Sequence, residues 1–432
     1  MGEHRTTERP VGPGFDYDIC VVGTGRVGLP LALSFVDAGR RVVGVDRDEA
    51  VRRAVSEGRM PWKEPGYDAL VAQRSLVVHE EMAVAGRARF VIVTVGTPLH
   101  AHVESDLGQV QAVLESLVLH LRAGQMLVLR STVSPGTTAF VSRWLARHTS
   151  LEVGQELMLA FCPERIAEGQ AKEELATLPQ IIGADDPTSH AMGAELFAGL
   201  APTVMHTDPV SAELVKLFTN MVRYVNFAVA NQMTLVAERF GANIYDIREM
   251  ANLDYPREHI PKPGLTAGSC LRKDFGMLSE WSAYPDLFLM AWKVNEHMPV
   301  FLVERLLERA QVHDRTIALL GWTFKADTDD PRDSLSPKLH RYLSRELPTE
   351  VRVSDHHLGD SIDDATLGTL QNWDAREAVT GADVVIVAVA HSGYSEVLAE
   401  LGGRAPGAWV VDLWNVSGGG RIVYQVGESA TP

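Results

Sequence analysis

The chain is poor in cysteine, in basic charge and in long apolar runs, and each shortage excludes something. Three cysteines in 432 residues, Cys20, Cys162 and Cys270, are too few for a disulfide framework, and none is in C-x-x-C spacing. Reduced thiols and a cytoplasmic setting are expected. No apolar run approaches the ~18 residues that a membrane helix needs, so no membrane partner is expected. The opening segment has no hydrophobic core of a secretory signal; residues 1–15 are expected to be a disordered leader. Forty Lys and Arg against 56 Asp and Glu give a net charge of −16, and such a surface repels phosphate backbones, which argues against nucleic acid. No Walker loop, no G-x-S-x-G and no H-E-x-x-H occurs. His100 and His102 flank an alanine and His356 and His357 are adjacent, but neither pair has a carboxylate at metal-ligand spacing, so no metal is expected.

What is present is ordinary for a globular protein with real cores: 46% apolar and 22% charged residues, in a length that suggests about three domains. Asp18-Ile-Cys-Val-Val-Gly is a buried strand running into a glycine turn and then a helix beginning near Leu29. Arg41 to Asp46, Phe90 to Val95, Met126 to Arg130 and Leu157 to Phe161 continue a strand series separated by helical stretches. That alternation predicts an α/β domain with a doubly wound parallel sheet. From Ser211 to Phe240 there is neither Gly nor Pro, and apolar residues recur at helical spacing until Gly241. A helix of ~45 Å is predicted, long enough to join two domains and to lend a face to a second subunit. After Asp314 the strand pattern returns at Thr316, Val351, Val384 and Trp409, in the order of the first half. A second Rossmann-like domain is predicted, and its first turn, Gly321-Trp-Thr-Phe-Lys325, lacks the glycine triplet. The expected boundaries are 16–205, 206–310 and 311–432.

Gly23-Thr-Gly25-Arg-Val-Gly28 lies between a strand and a helix, and Asp46 ends the next strand, the context of a dinucleotide-binding turn. Gly23 makes the turn, Gly25 lets a pyrophosphate approach backbone N–H groups, and Gly28 lets helix and strand pack closely. Asp46 is suited to accept from a ribose 2′-OH and to repel a 2′-phosphate, which favours NAD over NADP, although Arg47 beside it works the other way. Cys270 lies in a glycine-containing stretch, Pro263 to Asp274. If a helix begins there, Cys270 and Asp274 share a face, and Lys273 would favour the thiolate; a buried inert cysteine is the alternative. Cys20 is expected in the core, and Cys162, before Pro163 at a strand end, is expected to be structural.

Taken together, these blocks resemble the nucleotide-sugar 6-dehydrogenases, the family of the UDP-glucose, UDP-N-acetylhexosamine and GDP-mannose dehydrogenases. The resemblance runs from about Asp18 to Asn415. It is carried by Gly23 to Gly28, Val95-Gly-Thr97-Pro98, Ser131-Thr132-Val-Ser-Pro-Gly136, Pro163-Glu164 through Glu168-Gly169-Gln-Ala171, Ala212-Glu-Leu-Val-Lys216 to Asn220, the Cys270 loop, and Gly321 through Lys325, Asp330, Arg332 and Ser334. It implies oxidation of a sugar CH2OH to a carboxylate with two NAD in turn, through a thiohemiacetal and a thioester on Cys270. Lys216, or a water held by Thr132 and Asp274, is implied as the base. Lys216 and Asn220 are implied at the oxyanion, and Glu168 and Asp274 at the hydrolytic water. The cofactor contacts implied are the glycine turn with Arg26 and Val27, then Asp46, Arg47, Thr97, Thr132 and Arg332. The substrate contacts are Glu164, Glu168, Lys216, Asn220, Gly268, Lys325 and Arg257, the last from a neighbouring subunit, which implies a homodimer or larger homo-oligomer.

Cys162-Pro-Glu-Arg165, Leu178-Pro-Gln-Ile-Ile-Gly183 and His391-Ser-Gly-Tyr394 resemble the UDP-N-acetylhexosamine branch, particularly the N-acetylmannosamine enzymes. Glu168-Gly-Gln-Ala171 keeps the form typical of UDP-glucose enzymes, so UDP-glucose or dTDP-glucose is the alternative substrate. A two-electron β-hydroxyacid dehydrogenase would need neither Cys270 nor a second α/β domain. A non-catalytic NAD-binding protein would not need the catalytic set.

Overall fold

The structure is a computed structural model that describes residues 14–97, 107–266 and 268–428, with Ser269, Cys270 and Arg272 described by backbone alone. Most of the expected leader, Pro98, His100 and His102 lie outside the described residues. Contacts divide the chain into two compact units: Met1–Thr219 with Gly276–Glu280, and Asn220–Phe275 with Trp281–Pro432.

The first unit is built on eight strands: β1 (Tyr17–Val22), β2 (Val42–Val45), β3 (Val77–His79), β4 (Ala88–Val93), β5 (Gln125–Leu129), β6 (Leu157–Phe161), β7 (Gln180–Gly183) and β8 (Val204–Thr207). Their order is β3-β2-β1-β4-β5-β6-β7-β8. Strands β1, β4 and β5 are apolar on both faces because helices cover both sides. Ile19, Val21, Phe90 and Ile92 pack into one core, and Cys20, Val22, Val91 and Val93 into the other. The sheet is parallel except where β7 meets β6 antiparallel. That reversal keeps the whole β6–β7 connection, with Glu164 and Glu168, at the carboxyl edge of the sheet. The turns after β1, β2, β4 and β5 emerge at the same edge, and an open α/β sheet binds its ligands there.

The second unit holds β9 (Thr316–Leu320), β10 (Glu350–Ser354), a hairpin of β11 (Ser361–Asp364) and β12 (Gly368–Gln371), then β13 (Val384–Val387), β14 (Trp409–Val411) and β15 (Val423–Gln425). The five-stranded sheet has the order β10-β9-β13-β14-β15 and is parallel apart from β15. Both predicted sheets are therefore present, each with one antiparallel junction that the strand patterns did not reveal.

The long helix spans Pro209–Arg239, 31 residues, within two residues of the predicted start and one of the predicted end. Proline opens it where no N–H is required, and Gly241 follows it with φ +67°. The boundary between the units falls within this helix. A buried amide cluster fixes it inside the second unit. Asn231 exchanges hydrogen bonds with the backbone of Gly264 at 2.9 and 3.0 Å and donates to Asn295, whose amide reaches the Tyr224 carbonyl.

Candidate active site

In the first unit the glycine turn leads into the helix Gly28–Asp37. A Cβ on Gly28 would lie 2.0 Å from the Gly23 carbonyl oxygen and 2.5 Å from Thr94 Oγ1, so only glycine allows this approach of helix to strand. Around Gly25, by contrast, a Cβ would meet nothing within 4 Å. Open space over the N–H groups at the start of a helix is what a pyrophosphate needs. Asp46, one residue beyond β2, has its carboxylate fixed by the Asp48 amide at 2.9 Å and Thr24 Oγ1 at 3.2 Å. Arg47 is exposed. The turn and the acid fit NAD: the glycines leave room for the phosphates, and the carboxylate, fixed by Thr24 and Asp48, is placed as an acceptor that a ribose hydroxyl would need. Asp46→Ser is expected to raise kcat/KM for NADP relative to NAD by about 10-fold, equivalent to ~1.4 kcal/mol. The ratio is read from initial rates with each cofactor, and a wild type that prefers NADP would contradict this role.

Two buried carboxylates hold the remaining loops of this edge. Glu213, on the long helix, accepts from the Gly136 amide at 2.6 Å, the Thr138 amide at 2.8 Å and Thr138 Oγ1 at 2.6 Å. Burial pushes its carboxyl up, against the lowering effect of those donors. Glu213 thereby ties the loop that follows Thr132 to the helix carrying Lys216, which is itself buried. Glu64 accepts from the Gly169 and Ala171 amides at 2.9 and 3.0 Å and so shapes the Glu168 loop. Neither glutamate was singled out from the sequence. Glu213 sits in the Ala212–Asn220 motif, three residues before Lys216, whereas nothing local marks Glu64.

Glu168 is ion-paired with Arg26 of the glycine turn, and the Arg26 guanidinium lies 5.5 Å over the Trp62 ring. Two of the implied site residues are thus brought together. Glu164 instead faces inward: it accepts from the fully buried Arg130 at 2.7 Å and from the Arg165 and Ile166 amides at 2.8 and 3.0 Å. Thr97 Oγ1 donates to the Thr132 carbonyl at 2.6 Å, joining the turns after β4 and β5.

In the second unit Asn220 Nδ2 donates to Asp274 Oδ2 at 2.6 Å, and both side chains are buried. The helix Ser269–Ser279 does begin at the cysteine, placing Cys270 in its first turn and Asp274 one turn later. Gly268 has φ +95°, donates to the Asp333 carbonyl at 3.1 Å, and is so close to Phe324 that a Cβ would lie 2.6 Å from that ring. The cysteine loop is thereby seated against the 321–325 turn, which carries Lys325. Arg332 lays its guanidinium fork on Asp330 at 2.6–3.0 Å. Arg257 is exposed, stacked 5.4 Å over Tyr255. Cys20 and Cys162 are both buried, as expected; burial pushes the Cys162 thiol up to about 12 and Cys20 higher still, so neither suits a nucleophile.

The two adjacent histidines are where the structure departs most from the sequence. The loops after β9 and β13 bring Asp327 and His391 to His356 and His357, which supplies the missing carboxylate and a third imidazole.

Sequence models of the UDP-glucose/GDP-mannose dehydrogenase family match nearly the whole chain: the NAD binding domain at 17–201, the central domain at 210–297 and the UDP binding domain at 318–418. The chain belongs to this family and is an NAD-dependent nucleotide-sugar dehydrogenase. It is 30% identical over 399 residues to the UDP-N-acetyl-D-mannosamine dehydrogenase of Pyrococcus horikoshii, covering 90% of this chain and 92% of that one. A solved structure of UDP-D-ManNAc dehydrogenase from that organism is similar at TM-score 0.82 and 29% identity, covering 90% and 93% of the two chains. A UDP-glucose dehydrogenase structure from Pyrobaculum islandicum is similar at 0.79 and 26%, covering 92% and 94%. No helix among the described residues is long and apolar enough to cross a membrane.

Proposed function

We propose that this chain oxidises C6 of a UDP-N-acetylhexosamine, UDP-N-acetylmannosamine foremost, from the alcohol to the carboxylate. The observation that carries this reading is the 30% identity to the Pyrococcus enzyme over nine-tenths of both chains, together with the Cys162-Pro-Glu-Arg and His391-Ser-Gly-Tyr marks of the present chain. NAD, when bound, accepts the hydride of each of two successive oxidations. The chain's own residues handle protons, the aldehyde and water. Lys216 takes the C6 hydroxyl proton, or passes it through a water at Thr132 and Asp274. Cys270 adds its sulfur to the aldehyde carbon, which keeps the aldehyde from escaping and gives a thiohemiacetal. Loss of a second hydride leaves a thioester. Water, positioned by Glu168 and Asp274, then breaks the C–S bond and returns the thiol. Overall, one CH2OH, two NAD and one water give a carboxylate, two NADH and three protons.

The Asn220–Asp274 bond sharpens one role. A carboxylate oxygen accepts from one N–H of the Asn220 amide, which fixes the amide and leaves its second N–H to serve an oxyanion beside Lys216. Lys325, Arg257 and Gly268 serve the nucleotide-sugar in this reading, and Thr97, Arg332 and the glycine turn the cofactor; Glu164, turned inward onto Arg130, holds the loop after β6 instead. The test counts NADH per substrate at 340 nm with UDP-N-acetylmannosamine, UDP-N-acetylglucosamine, UDP-glucose, dTDP-glucose and GDP-mannose. Two NADH with an acetamido sugar supports the reading. Two with UDP-glucose alone transfers it to the second substrate, which Glu168-Gly-Gln-Ala171 and the similarity to the Pyrobaculum structure favour.

We also propose a homodimer built on the long helix. Val222, Val229, Met233 and Val236 recur at helical spacing along it, Phe240 follows one residue past its end, and all five are exposed, Phe240 at 80%. Met250, Leu253, Trp281, Tyr284 and Leu287 add further exposed apolar surface in the same unit. A row of exposed large apolar side chains along one helix suits a protein interface. Val229→Lys with Val236→Lys is expected to halve the mass measured by light scattering; an unchanged mass would place the interface elsewhere.

A further inference from the structure

We propose that Asp327, His356, His357 and His391 form a binding site for one borderline divalent cation, Zn2+ in the first instance. The four donor atoms lie within 4.8 Å of one another, although they come from three separate loops. Those loops leave the carboxyl ends of β9, β10 and β13. Because β10 and β13 flank β9 on opposite sides, the cluster sits at the topological switch point of the five-stranded sheet, where an α/β sheet opens a crevice.

The donor chemistry selects the ion. Three imidazoles and one carboxylate suit Zn2+, Co2+ or Ni2+, and are too rich in nitrogen for Mg2+ or Ca2+. Tetrahedral bonds of ~2.0–2.2 Å place ligand atoms roughly 3.3–3.6 Å apart. His357 Nε2 is already 3.4 Å from Asp327 Oδ1, and His391 Nδ1 is 3.9 Å from it. His356 is exposed, so its ring can turn inward without disturbing a packed core.

The groups around these side chains prepare them as ligands. The fully buried Asp355 accepts from His391 Nε2 at 3.0 Å, which assigns the proton to Nε2 and leaves the lone pair on Nδ1, the nitrogen facing Asp327. A carboxylate behind a histidine in this way is the usual outer support of a metal-bound imidazole. In the structure that lone pair accepts the Asp327 N–H at 2.9 Å, a bond the cation would replace. Ser392 holds the Asp327 carboxylate through its amide at 2.9 Å and Oγ at 2.7 Å, and Asp327 itself has φ +61°. Since Asp327 lies two residues from Lys325, a bound cation would pin the turn that carries Lys325.

The test is direct. The full-length protein, stripped with EDTA, is titrated with Co2+ as a spectroscopic probe for Zn2+, and Zn2+ affinity is measured by competition with a chromogenic chelator. One equivalent per chain is expected, with tetrahedral visible bands and no thiolate-to-cobalt charge transfer. His356→Ala and His357→Ala are each expected to weaken binding by ~100-fold or more, since outer-shell changes alone cost ~10–100-fold. His356→Ala removes an exposed side chain and leaves the Asp355–His391 pair in place, so it tests the site without testing the fold. No uptake, uptake unchanged in the His356→Ala/His357→Ala double variant, or a thiolate band that puts the ion on cysteine would each overturn the proposal. Metal uptake is read without substrate, so the outcome is independent of which sugar is oxidised.

Discussion

Cys270→Ser is expected to abolish steady-state formation of the carboxylate, lowering kcat on the order of 10³ or more, the scale seen when a covalent nucleophile is removed. The role explains the size. In the proposed thioester route Cys270, whose backbone lies in the first turn of the helix Ser269–Ser279, is the residue that captures the aldehyde. A serine hydroxyl there has no comparable acidity, so the aldehyde is not captured and the second oxidation fails. NAD affinity should be unchanged, because the glycine turn and Asp46 belong to the other unit. The two readouts are NADH per substrate and NAD binding by calorimetry. Two NADH per substrate at the wild-type rate would contradict the thioester route. Loss of both turnover and NAD binding would show general damage instead.

The largest expected loss of stability is at Arg130→Met. Arg130 is completely buried and its guanidinium serves Glu164 at 2.7 Å, Gln180 at 3.0 Å and the Cys162 carbonyl at 3.3 Å. Removing the cation leaves the Glu164 carboxylate buried and uncompensated, which costs about 3–5 kcal/mol. The expected signature is a lowered denaturant midpoint in the unfolding step that NAD protects, since the pair lies in the unit with the glycine turn. Arg130→Met combined with Glu164→Gln should recover much of the loss, because the stranded charge goes while an amide oxygen still accepts from Arg165 and Ile166. A single variant within ~1 kcal/mol of wild type would show that the pair contributes little net stability.

Local signals carried the sequence reading a long way. The glycine turn, the Asp46 strand end and the breaker-free stretch before Gly241 are decided by neighbouring residues, and the structure has all three. The parts that were not legible depend on residues distant in sequence. Nothing near Gln180 indicates that β7 runs antiparallel to β6, because that depends on which strand it meets. The His356–His357 pair looked incomplete since its partners arrive from two other loops. The same applies to Glu64, whose importance comes from two amides at the far side of the β6–β7 connection. Asn220 and Asp274 were each picked out by resemblance, but their mutual hydrogen bond follows only from the packing of two helices.

The exposed apolar stripe of the long helix has a thermodynamic side. The helix that carries this stripe also carries Lys216 and Asn220, so whatever covers the stripe steadies the lysine and the amide. If a second copy is the cover, folding and assembly share one equilibrium, and mass action then applies to both. Specific activity should fall on dilution and return on concentration, and the melting temperature should climb with protein concentration. The enzyme would in effect be its own cofactor, supplied at whatever level the cell expresses it.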